Sequence, residues 1–430
     1  MSHKMLGPGD RPGFGYWLPL SIQHVFAMFG ATILVPILTG LNPATALFTA
    51  GTGTLLYILC TGAQVPAFLG SSFAFIPPIL AVAGGPGGPN MAYALGGAAA
   101  AGLFYCLVGL IIRVAGTKWL DKALPPVVIG SVIVVIGLNL APTAIGMAMN
   151  DGNGRYSPVY LSIAAVTLGV TVAANIFFKG FFSTIPILIG MTTGYLFTLV
   201  MGGLFPAYRI ITFELVKDTP WFGLPRFQVP NFSFVPILTF VIVSLATICE
   251  HLGDTLVTSK VVGQDFYKKP GLHRTLAGDG LATAWAAFWG GPPNTTYGEN
   301  IGVMAITGVY SVWVIGGAAV IAVFLSMVRK FGALIQTIPT PVLGGISMLL
   351  FGIIASSGLR TIVESGVDYK DKRNLTISSV IFVIGIGGGK LAFAITPDLH
   401  FELAGVALAT VAGIILNLIF PAGRGTIKTG

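Results

Sequence analysis

The chain has 430 residues, of which 54% are hydrophobic and only 9% are charged, and its mean hydropathy is +0.86. Soluble globular domains carry about 25% charged residues, so this composition excludes an ordinary water-soluble protein. We therefore expect an integral membrane protein. The net charge of +8 fits an excess of Lys and Arg in cytoplasmic loops, so it is no evidence that the protein binds nucleic acid.

Apolar segments recur along the whole chain. A helix needs about 20 apolar residues to cross a bilayer, and the sequence contains about fourteen such segments. The third and the tenth are interrupted by Gly and Pro, which predicts broken spans rather than continuous helices. The predicted spans are residues 17–39, 45–63, 66–84, 92–113, 124–146, 158–177, 182–204, 233–258, 273–291, 294–308, 310–329, 338–357, 376–393 and 402–421.

The distribution of basic residues predicts the topology. Lys4 and Arg11 precede a long first span without a cleavage site, which is not typical of a removable signal peptide. If about fourteen spans alternate from a cytoplasmic start, most Lys and Arg lie inside, chiefly in residues 113–122, 260–274 and 360–373. We expect a multi-pass protein of the cell's inner membrane with both termini in the cytoplasm.

The sequence offers little to an enzyme. Cys60, Cys106 and Cys249 lie in apolar segments, and their spacing is unlike a metal site or a disulfide framework. We expect them to be small buried hydrophobic residues. "GGPGGP" at 84–89 lacks the Lys and Ser or Thr of a phosphate-binding loop, and "GIGGGK" at 385–390 lacks the spacing. We therefore predict no enzyme, no metal site and no organic cofactor.

The two halves of the chain resemble each other. Residues 126–137 read "PVVIGSVIVVIG" and residues 341–352 read "PVLGGISMLLFG", at an offset of half the chain length. At a similar offset, "SSFAF" at 71–75 aligns with "TTYGE" at 295–299. Seven spans per half is an odd number, so the second copy would enter the membrane from the opposite side. This pattern predicts the 7+7 inverted repeat of secondary transporters, with residues 206–232 as an external connector.

"SSFAF" and "TTYGE" also predict local structure. Both are short, both are bounded by Gly or Pro, and a helix is expected after each. An unpaired extended segment in lipid leaves backbone groups unsatisfied, at several kcal/mol each. We therefore predict that the two form short antiparallel β-strands within an otherwise all-α membrane fold. The half-helices after them would point their N-terminal N–H groups at one small volume, which is the predicted binding site.

Four acids lie within apolar segments, all in the second half: Glu250, Asp254, Asp279 and Glu299. A charge at the bilayer centre costs about 2.5 to 3.5 kcal/mol, so such residues face an interior cavity and tend to be functional. Glu250 and Asp254 are four residues apart and project from one helix face. An apolar site without cations disfavours charged carboxylates, so Glu250, Asp254 and Glu299 are candidates for proton coupling. Asp279 is expected to be a structural cap or a bridge between spans.

These residue types also indicate a class of ligand. The carboxylates of Glu250 and Glu299 would accept hydrogen bonds from ligand N–H groups, and backbone N–H groups would donate to its carbonyls. Phe73 and Tyr297 offer flat faces for stacking. A planar, neutral, imide-like ring fits this set of groups, whereas an anion fits poorly beside two acids and no base.

A stretch near the second acid resembles a known family. "ENIGVMAITG" at 299–308 resembles the signature of the nucleobase-ascorbate transporters, in which an acid or Gln precedes Asn, a Gly and a later Thr. "QH" in the first span, "GSSFAF" in the third, "EHLGD" in the eighth and "PTPVLGGIS" in the twelfth match the family in the same order. Within the family, "TTYGENIGVMAIT" is most similar to bacterial uracil permeases, which are uracil:proton symporters; purine carriers more often read "QNNGV".

The resemblance implies an architecture. Spans 1–4 and 8–11 would form a core domain, spans 5–7 and 12–14 a gate domain, and uracil would bind between them. The implied boundaries are 1–123 and 233–330 for the core, 124–205 and 331–430 for the gate, and 206–232 for the connector. The resemblance also implies a homodimer formed through the gate domains, with the proton as the coupling ion.

The resemblance also implies residue roles. Glu250 and Glu299 would accept from the ring N–H groups, and the backbone of Phe73 and Gly298 would serve the carbonyls. The residues expected to face the site from the gate are Ser347 and Phe351. The supporting residues are Asn300, Thr307, Asp279, Gln23 and His24, of which the last two are expected to hydrogen-bond unwound backbone across the interface between the repeats.

The chain departs from the best-known uracil carriers at two positions. They have His where this chain has Asp254, which alters the expected proton relay, and Tyr where it has Phe351, which removes a hydroxyl. Alternatives to a uracil:proton symporter are a xanthine or other purine carrier and a sodium-coupled nucleobase carrier. An anion transporter or channel of related fold is a further alternative, although it would be expected to have a basic or neutral residue at position 299.

Overall fold

The computed structural model describes residues 5–396 and 399–420, and their regular structure is mostly helical. The helices of the first half are α1 (Phe14–Thr39), α2 (Pro43–Cys60), α3 (Ile76–Ala83), α4 (Met91–Ala115), α5 (Lys118–Ala123), α6 (Pro126–Asn139), α7 (Ala141–Met149), α8 (Pro158–Phe177) and α9 (Pro186–Leu204). Those that follow are α10 (Glu214–Asp218), α11 (Phe234–Val262), α12 (Leu272–Phe288), α13 (Gly298–Thr307), α14 (Val312–Met327), α15 (Arg329–Gln336), α16 (Thr340–Glu364), α17 (Lys372–Ile386) and α18 (Gly405–Ile419). The strands are β1 (Leu69–Ser71), β2 (Asn294–Thr296), β3 (Lys390–Thr396) and β4 (Leu399–Ala404).

The helices have the length and composition of membrane spans. In the described part of the chain, 8 helical segments are long and apolar enough to cross a membrane: α1, α2, α4, α6 with α7, α8, α9, α11 and α16. Shorter apolar helices occur at Phe73–Ala83, α14 and α18. The chain is thus a mostly helical, multi-pass membrane protein. Lys4, which the topology prediction uses, lies outside the described residues, as does the end of the last predicted span.

The fifth predicted span is divided. Residues 124–146 were expected to form one helix, but α6 ends at Asn139 and α7 begins at Ala141. Pro142, in the first turn of α7, lacks the N–H that would continue the hydrogen-bond ladder of α6. The division therefore follows from a single residue.

Strands β1 and β2 pair in antiparallel orientation across the two halves. Their register is Leu69 with Thr296, Gly70 with Thr295, and Ser71 with Asn294. At either end the pairing is extended by Ser72 N donating to Pro293 O (2.8 Å) and Tyr297 N donating to Phe68 O (3.0 Å). Of "SSFAF", only Ser71 is in the strand, because Phe73–Phe75 form a 3-10 turn that leads into α3. The strand pair satisfies the backbone groups of both broken segments.

One position in this pair requires glycine. A Cβ built on Gly70 would lie 2.5 Å from the ring of Tyr297. No side chain fits at that distance, so Gly70 is what allows the Tyr297 ring to pack flat on the strand.

The end of the chain differs from the prediction. The thirteenth span was expected to run from 376 to 393, but α17 ends at Ile386 and a hairpin of β3 and β4 follows. Three consecutive glycines end the helix, and Gly388 has a φ of +69°, which most residues avoid. Lys390 Nζ lies 3.2 Å from Glu402 Oε1 across the hairpin. The prediction of helix at 390–393 and 402–404 was wrong, because a short apolar run fits strand and helix equally well.

The helices pack as two groups. In the first, α4 packs on α11 and α12, α2 packs on α12 and α14, and α1 packs on α14. In the second, α16 packs on α6, α7 and α8, α8 packs on α9, and α17 packs on α6 and α18. Helix α11 also contacts α6 and α18, so it lies where the two groups meet.

The two helices that carry the repeated "PV" motif, α6 and α16, pack on each other at backbone distance. A Cβ on Gly137 would lie 2.5 Å from Phe351 O, and a Cβ on Gly358 would lie 2.5 Å from Gly130 O. Membrane helices commonly associate through such small residues, because the backbones can then approach closely.

The segment between the halves, residues 206–232, contains α10 and otherwise little regular structure. Its backbone is held by Asn231 N donating to Ala92 O (2.8 Å), Arg329 N donating to Trp221 O (2.9 Å) and Thr45 Oγ1 donating to Arg226 O (2.7 Å). It therefore lies across the ends of helices in the first group.

Candidate functional site

A cavity of about 440 Å³ lies where the two groups of helices meet. The first group lines it with residues from the α3 entry, α11, β2 and α13, and the second group with residues from α6, α16 and the segment before α9. Six of the residues predicted for the site line this cavity: Phe73, Glu250, Asp254, Tyr297, Gly298 and Glu299. The structure thus brings together residues from both halves of the chain.

Glu250 is the most buried acid in the cavity. Its exposure is only 9%, and among the described residues none donates a hydrogen bond to its Oε2 atom. A buried polar atom without a partner is unfavourable by about 1 to 3 kcal/mol, and more if it is charged. A proton or a ligand N–H at this oxygen would remove that penalty.

Asp254 lies one turn after Glu250 on α11, as the spacing of four predicts. Thr296 Oγ1 donates to Asp254 Oδ2 at 2.8 Å. Because Thr296 belongs to β2, this bond attaches the strand pair to α11. Asp254 therefore has a fixed donor, which Glu250 Oε2 does not.

Gly298 and Glu299 begin α13 directly after β2. No described heavy atom lies within 4 Å of the position of a Cβ on Gly298, so the cavity reaches the backbone there. Glu299 is partly buried in the first turn, where the positive end of the helix dipole favours an acid. The free N–H groups of this turn are available to a carbonyl oxygen.

The two predicted aromatic faces have different surroundings. The ring of Phe73 contacts Phe351 edge to face, with centroids 5.5 Å apart. Tyr297 lines the cavity as well, but its hydroxyl donates to Ser71 O at 3.2 Å and accepts from Thr32 Oγ1 at 3.2 Å. Tyr297 thus holds β1 and α1 together, and Phe73 presents the freer ring.

Two residues expected to face the site from α16 do not line the cavity. Ser347 is fully buried, and its Oγ donates to Leu343 O of its own helix at 2.6 Å. Ser347 was expected to face the site, but in this structure its hydroxyl is directed to the backbone of the preceding turn. Phe351 is close to the site only through its contact with Phe73.

Gln23 and His24 of α1 bond to side chains rather than to unwound backbone, which corrects the expectation. Gln23 Nε2 donates to Thr184 Oγ1 at 2.8 Å, and Thr184 lines the cavity from the opposite group of helices. Asn300 Nδ2 lies 3.0 Å from His24 Nδ1 and also donates to His24 O at 3.2 Å. The side chains of Gln23 and His24 find side-chain partners in Thr184 and Asn300, so their bonding capacity is used there, and Asn300 attaches α13 to α1.

Asp279 and Thr307 lie outside the cavity. His251 Nδ1 is 3.2 Å from Asp279 Oδ2, and both side chains are fully buried between α11 and α12. His251 Nε2 is also 3.1 Å from Thr275 Oγ1. Thr307 Oγ1 donates to Val303 O at 2.8 Å at the far end of α13. Asp279 therefore joins two helices behind the cavity, and Thr307 closes the last turn of α13.

Arg360 is a cavity residue that the sequence analysis missed. It is exposed and lines the cavity together with Ile353 and Ser357 on α16. The expectation of no base near the acids was wrong, because Arg360 is far from them in sequence but lines the same cavity. The signal was present, since spacings of four and three place these three residues on one helix face.

Comparisons with known proteins show similarity over nearly the whole chain. A family model described as "Permease family" matches residues 15–392. The uracil permease of Bacillus caldolyticus is 52% identical over 98% of this chain and 96% of its own length. The uracil permease of Escherichia coli (strain K12) is 47% identical over 98% of this chain and 95% of its own length.

Solved structures match the fold. The transmembrane domain of a cyanobacterium bicarbonate transporter, BicA, has a TM-score of 0.65 at 16% identity and covers 96% of this chain and 100% of that chain. SLC26A9 has a TM-score of 0.67 at 11% identity, with 94% of this chain and 64% of that chain covered. At these identities the likeness concerns the fold alone. The family matches confirm the resemblance seen in the sequence: the chain belongs to the permease family, and it is a transporter rather than an enzyme.

Proposed function

We propose that the protein is a secondary active transporter that imports uracil across the inner membrane together with protons. The observation that carries the proposal is Glu250, whose buried Oε2 atom no described residue satisfies, in a cavity between two groups of helices. The similarity to two uracil permeases, at 52% and 47% identity, supports uracil as the substrate.

Uracil matches the groups around the cavity. Its ring carries two N–H donors and two carbonyl acceptors and has flat faces. In the proposed complex Glu250 and Glu299 accept from the N–H groups, and the backbone at Phe73 and Gly298 serves the carbonyls. The ring lies against Phe73, with Tyr297 in the wall. Phe351 supports Phe73 from the gate, and Ser347 lies one turn before Phe351 on the same helix.

Proton coupling follows from the same acids. A proton on Glu250, shared with Asp254 or Glu299, neutralises the charge of the site. The core that carries the site can then move past the apolar surface of the gate with uracil bound. Asp254 keeps its hydrogen bond from Thr296 in either state, so we assign it the role of a relay. Each protonation state favours one arrangement of the helices, which is how a proton gradient can drive the equilibrium.

Alternating access would use the two groups of helices as moving units. We propose fourteen spans in a 7+7 inverted repeat, with a core of residues 1–123 and 233–330 and a gate of residues 124–205 and 331–430. Residues 206–232 would connect the halves outside the cell, both termini would lie in the cytoplasm, and two copies would pair through their gates. The packing of α1, α2, α4, α11, α12 and α14 as one group supports this division.

The test is uptake of labelled uracil into proteoliposomes, with and without an imposed proton gradient. We expect gradient-driven uptake by the wild type and its loss in Glu250→Gln. Glu214→Gln is the matched control, because Glu214 is an exposed acid on α10 outside the cavity, and it should transport normally.

Several outcomes would contradict the proposal. Normal uptake by Glu250→Gln, or uptake indifferent to both proton and sodium gradients, would exclude this mechanism. Uptake driven by sodium alone would favour the sodium-coupled carrier. Uptake of xanthine but not uracil would favour the purine carrier, and uptake of bicarbonate would favour the anion transporter.

A further inference from the structure

A second cavity, of about 370 Å³, lies between α2, α4 and α12 and shares no residue with the cavity that contains Glu250 and Glu299. We call it the basic cavity. Its lining includes Cys60, Cys106, Leu110, Arg113, His273 and Arg274. It contains two guanidinium groups and an imidazole, and none of its lining residues is an acid. None of the roles assigned above uses these residues.

The two arginines have no protein partner in residues 5–396 and 399–420. Arg113, in the last turn of α4, and Arg274, in the first turn of α12, are both exposed, and no described acid forms an ion pair with either. Arg274 Nη1 lies 3.6 Å from the Cβ position of Gly62, beside the end of α2. Both guanidinium groups therefore face one concave surface and can bind a shared anion. Phosphate suits the fork of guanidinium donors well.

The basic cavity continues into an apolar surface. Leu103, Leu107, Leu110 and Val114 follow one another at spacings of four, three and four along α4, and all four are exposed. These spacings place them on one face of the helix. In a multi-pass membrane protein an exposed leucine face contacts lipid chains. The arginines lie at the end of that face, where a lipid headgroup would be.

We propose that the basic cavity binds one anionic phospholipid. Its phosphate lies between Arg113 and Arg274, and its acyl chains follow the Leu103, Leu107 and Leu110 face of α4. Basic pockets between membrane helices are the usual setting for anionic headgroups. A soluble anion would engage the arginines but would leave the adjoining leucine face uncovered, so the combination of charge and apolar surface favours a lipid.

The chain provides its own reporter. Cys60 and Cys106 were expected to be buried, but both are partly exposed and line the basic cavity. Cys249 is fully buried on α11. A thiol reagent such as a maleimide should therefore react with Cys60, and more slowly with Cys106, whose Sγ donates to Ala277 O at 3.6 Å. A lipid in the basic cavity should slow both reactions.

The experiment measures maleimide labelling of the full-length protein in nanodiscs of neutral phosphatidylcholine with increasing phosphatidylglycerol. We expect phosphatidylglycerol to slow labelling of Cys60 and Cys106 in the wild type. In the double variant Arg113→Gln with Arg274→Gln, the affinity for phosphatidylglycerol, read from the lipid content that gives half-maximal protection, should fall about 30-fold. This corresponds to about fivefold for each arginine. Lys118→Gln with Lys122→Gln is the matched control, because both are exposed cations just after α4 that do not line the basic cavity.

Native mass spectrometry of the same samples supplies a second measurement, in which retained phosphatidylglycerol should be lost in the arginine double variant only. Equal labelling in the two lipids would overturn the proposal, as would equal loss of protection in the lysine control. Protection by inorganic phosphate as strong as that by the lipid would show an anion site instead. These readouts do not depend on uracil transport, so they can fail or succeed independently of the proposed function.

Discussion

The four acids within the apolar segments of the second half differ in what surrounds each carboxyl group. Glu250 Oε2 has no donor among the described residues, Asp254 has the Thr296 hydroxyl, and Asp279 faces His251. Glu299 lies at a helix N-terminus. The same chemical group thus serves different roles, because a hydrogen-bond donor or a cation decides whether a buried carboxylate is available to a ligand.

Gly298 offers a direct test of ligand position. Gly298→Ala adds a methyl group to open space in the cavity, so the fold should be unaffected while the ligand loses room. We expect the KM for uracil uptake to rise about tenfold or more, since one carbon in a fitted pocket changes specificity by that order. Gly352→Ala is the control, because its Cβ also meets no described atom within 4 Å and Gly352 does not line the cavity. Equal KM values in the two variants would place the ligand elsewhere.

The His251 and Asp279 pair should matter for stability. Removing one member of a buried polar pair leaves the other without its neighbour, which costs about 1 to 3 kcal/mol. We expect His251→Leu to lower the melting temperature in detergent strongly, and His251→Leu with Asp279→Leu to recover part of the loss. The exposed pair of Lys390 and Glu402 is the comparison, where Lys390→Met should change stability by about 0 to 1 kcal/mol. A double variant no more stable than His251→Leu would contradict this role.

At the scale of elements, the sequence predicts what depends on local pattern. Continuous spans such as α8 were placed at their observed residues, because a long apolar run bounded by Pro or Gly leaves few alternatives. The hairpin of β3 and β4 was missed, because the short apolar runs at its strands fit strand and helix equally well. Contacts between distant elements, such as Gln23 with Thr184 or the position of Arg360, depend on packing that a single sequence does not encode locally.

The close approach of α6 and α16 is testable at this scale. A Cβ at position 358 would lie 2.5 Å from Gly130 O and 2.6 Å from Val134 N, so Gly358→Ala must push the helices apart. Overpacking of this kind costs about 1 to 3 kcal/mol. We expect Gly358→Ala to lower the melting temperature and Gly352→Ala, on the same helix, to leave it unchanged. Equal melting temperatures would mean that the interface can relax without cost.

At the scale of the molecule, a small number of named contacts cross between the two groups of helices at the cavity. They include Gln23 with Thr184, Phe73 with Phe351, and the ion pair of Lys260 Nζ and Glu364 Oε2 at 2.8 Å. The ion pair joins the ends of α11 and α16, whose preceding turns line the cavity. It is half exposed, so it contributes about 0.2 to 1 kcal/mol, enough to bias two arrangements of similar energy.

Charge reversal tests this contact between groups. Lys260→Glu should weaken the present arrangement of the two groups of helices and open the cavity. The readout is thiol labelling of Ser357→Cys in a background with Cys60 and Cys106 replaced by Ala, and the labelling rate should rise by up to about fivefold. Adding Glu364→Lys should restore the original rate. Reversal of Lys268 and Asp265, which pair 3.1 Å apart within one connection, should have no effect. Failure of the charge swap to restore labelling would show that the pair does not couple the groups.

The strand pair has a consequence for how the protein is made. Among the described residues, strand β1 pairs with β2 alone, and β2 belongs to the other half of the chain. Thr54 of α2 already bonds to the backbone N–H and C=O of Leu69. The groups that bond to the second half, such as Phe68 O and Ser72 N, wait without that partner while some two hundred residues are added, and water or the insertion machinery must satisfy them meanwhile. A chain that stops before Asn294 lacks β2 and α13, so it can form neither the strand pair nor the wall of the cavity that Thr296, Gly298 and Glu299 provide.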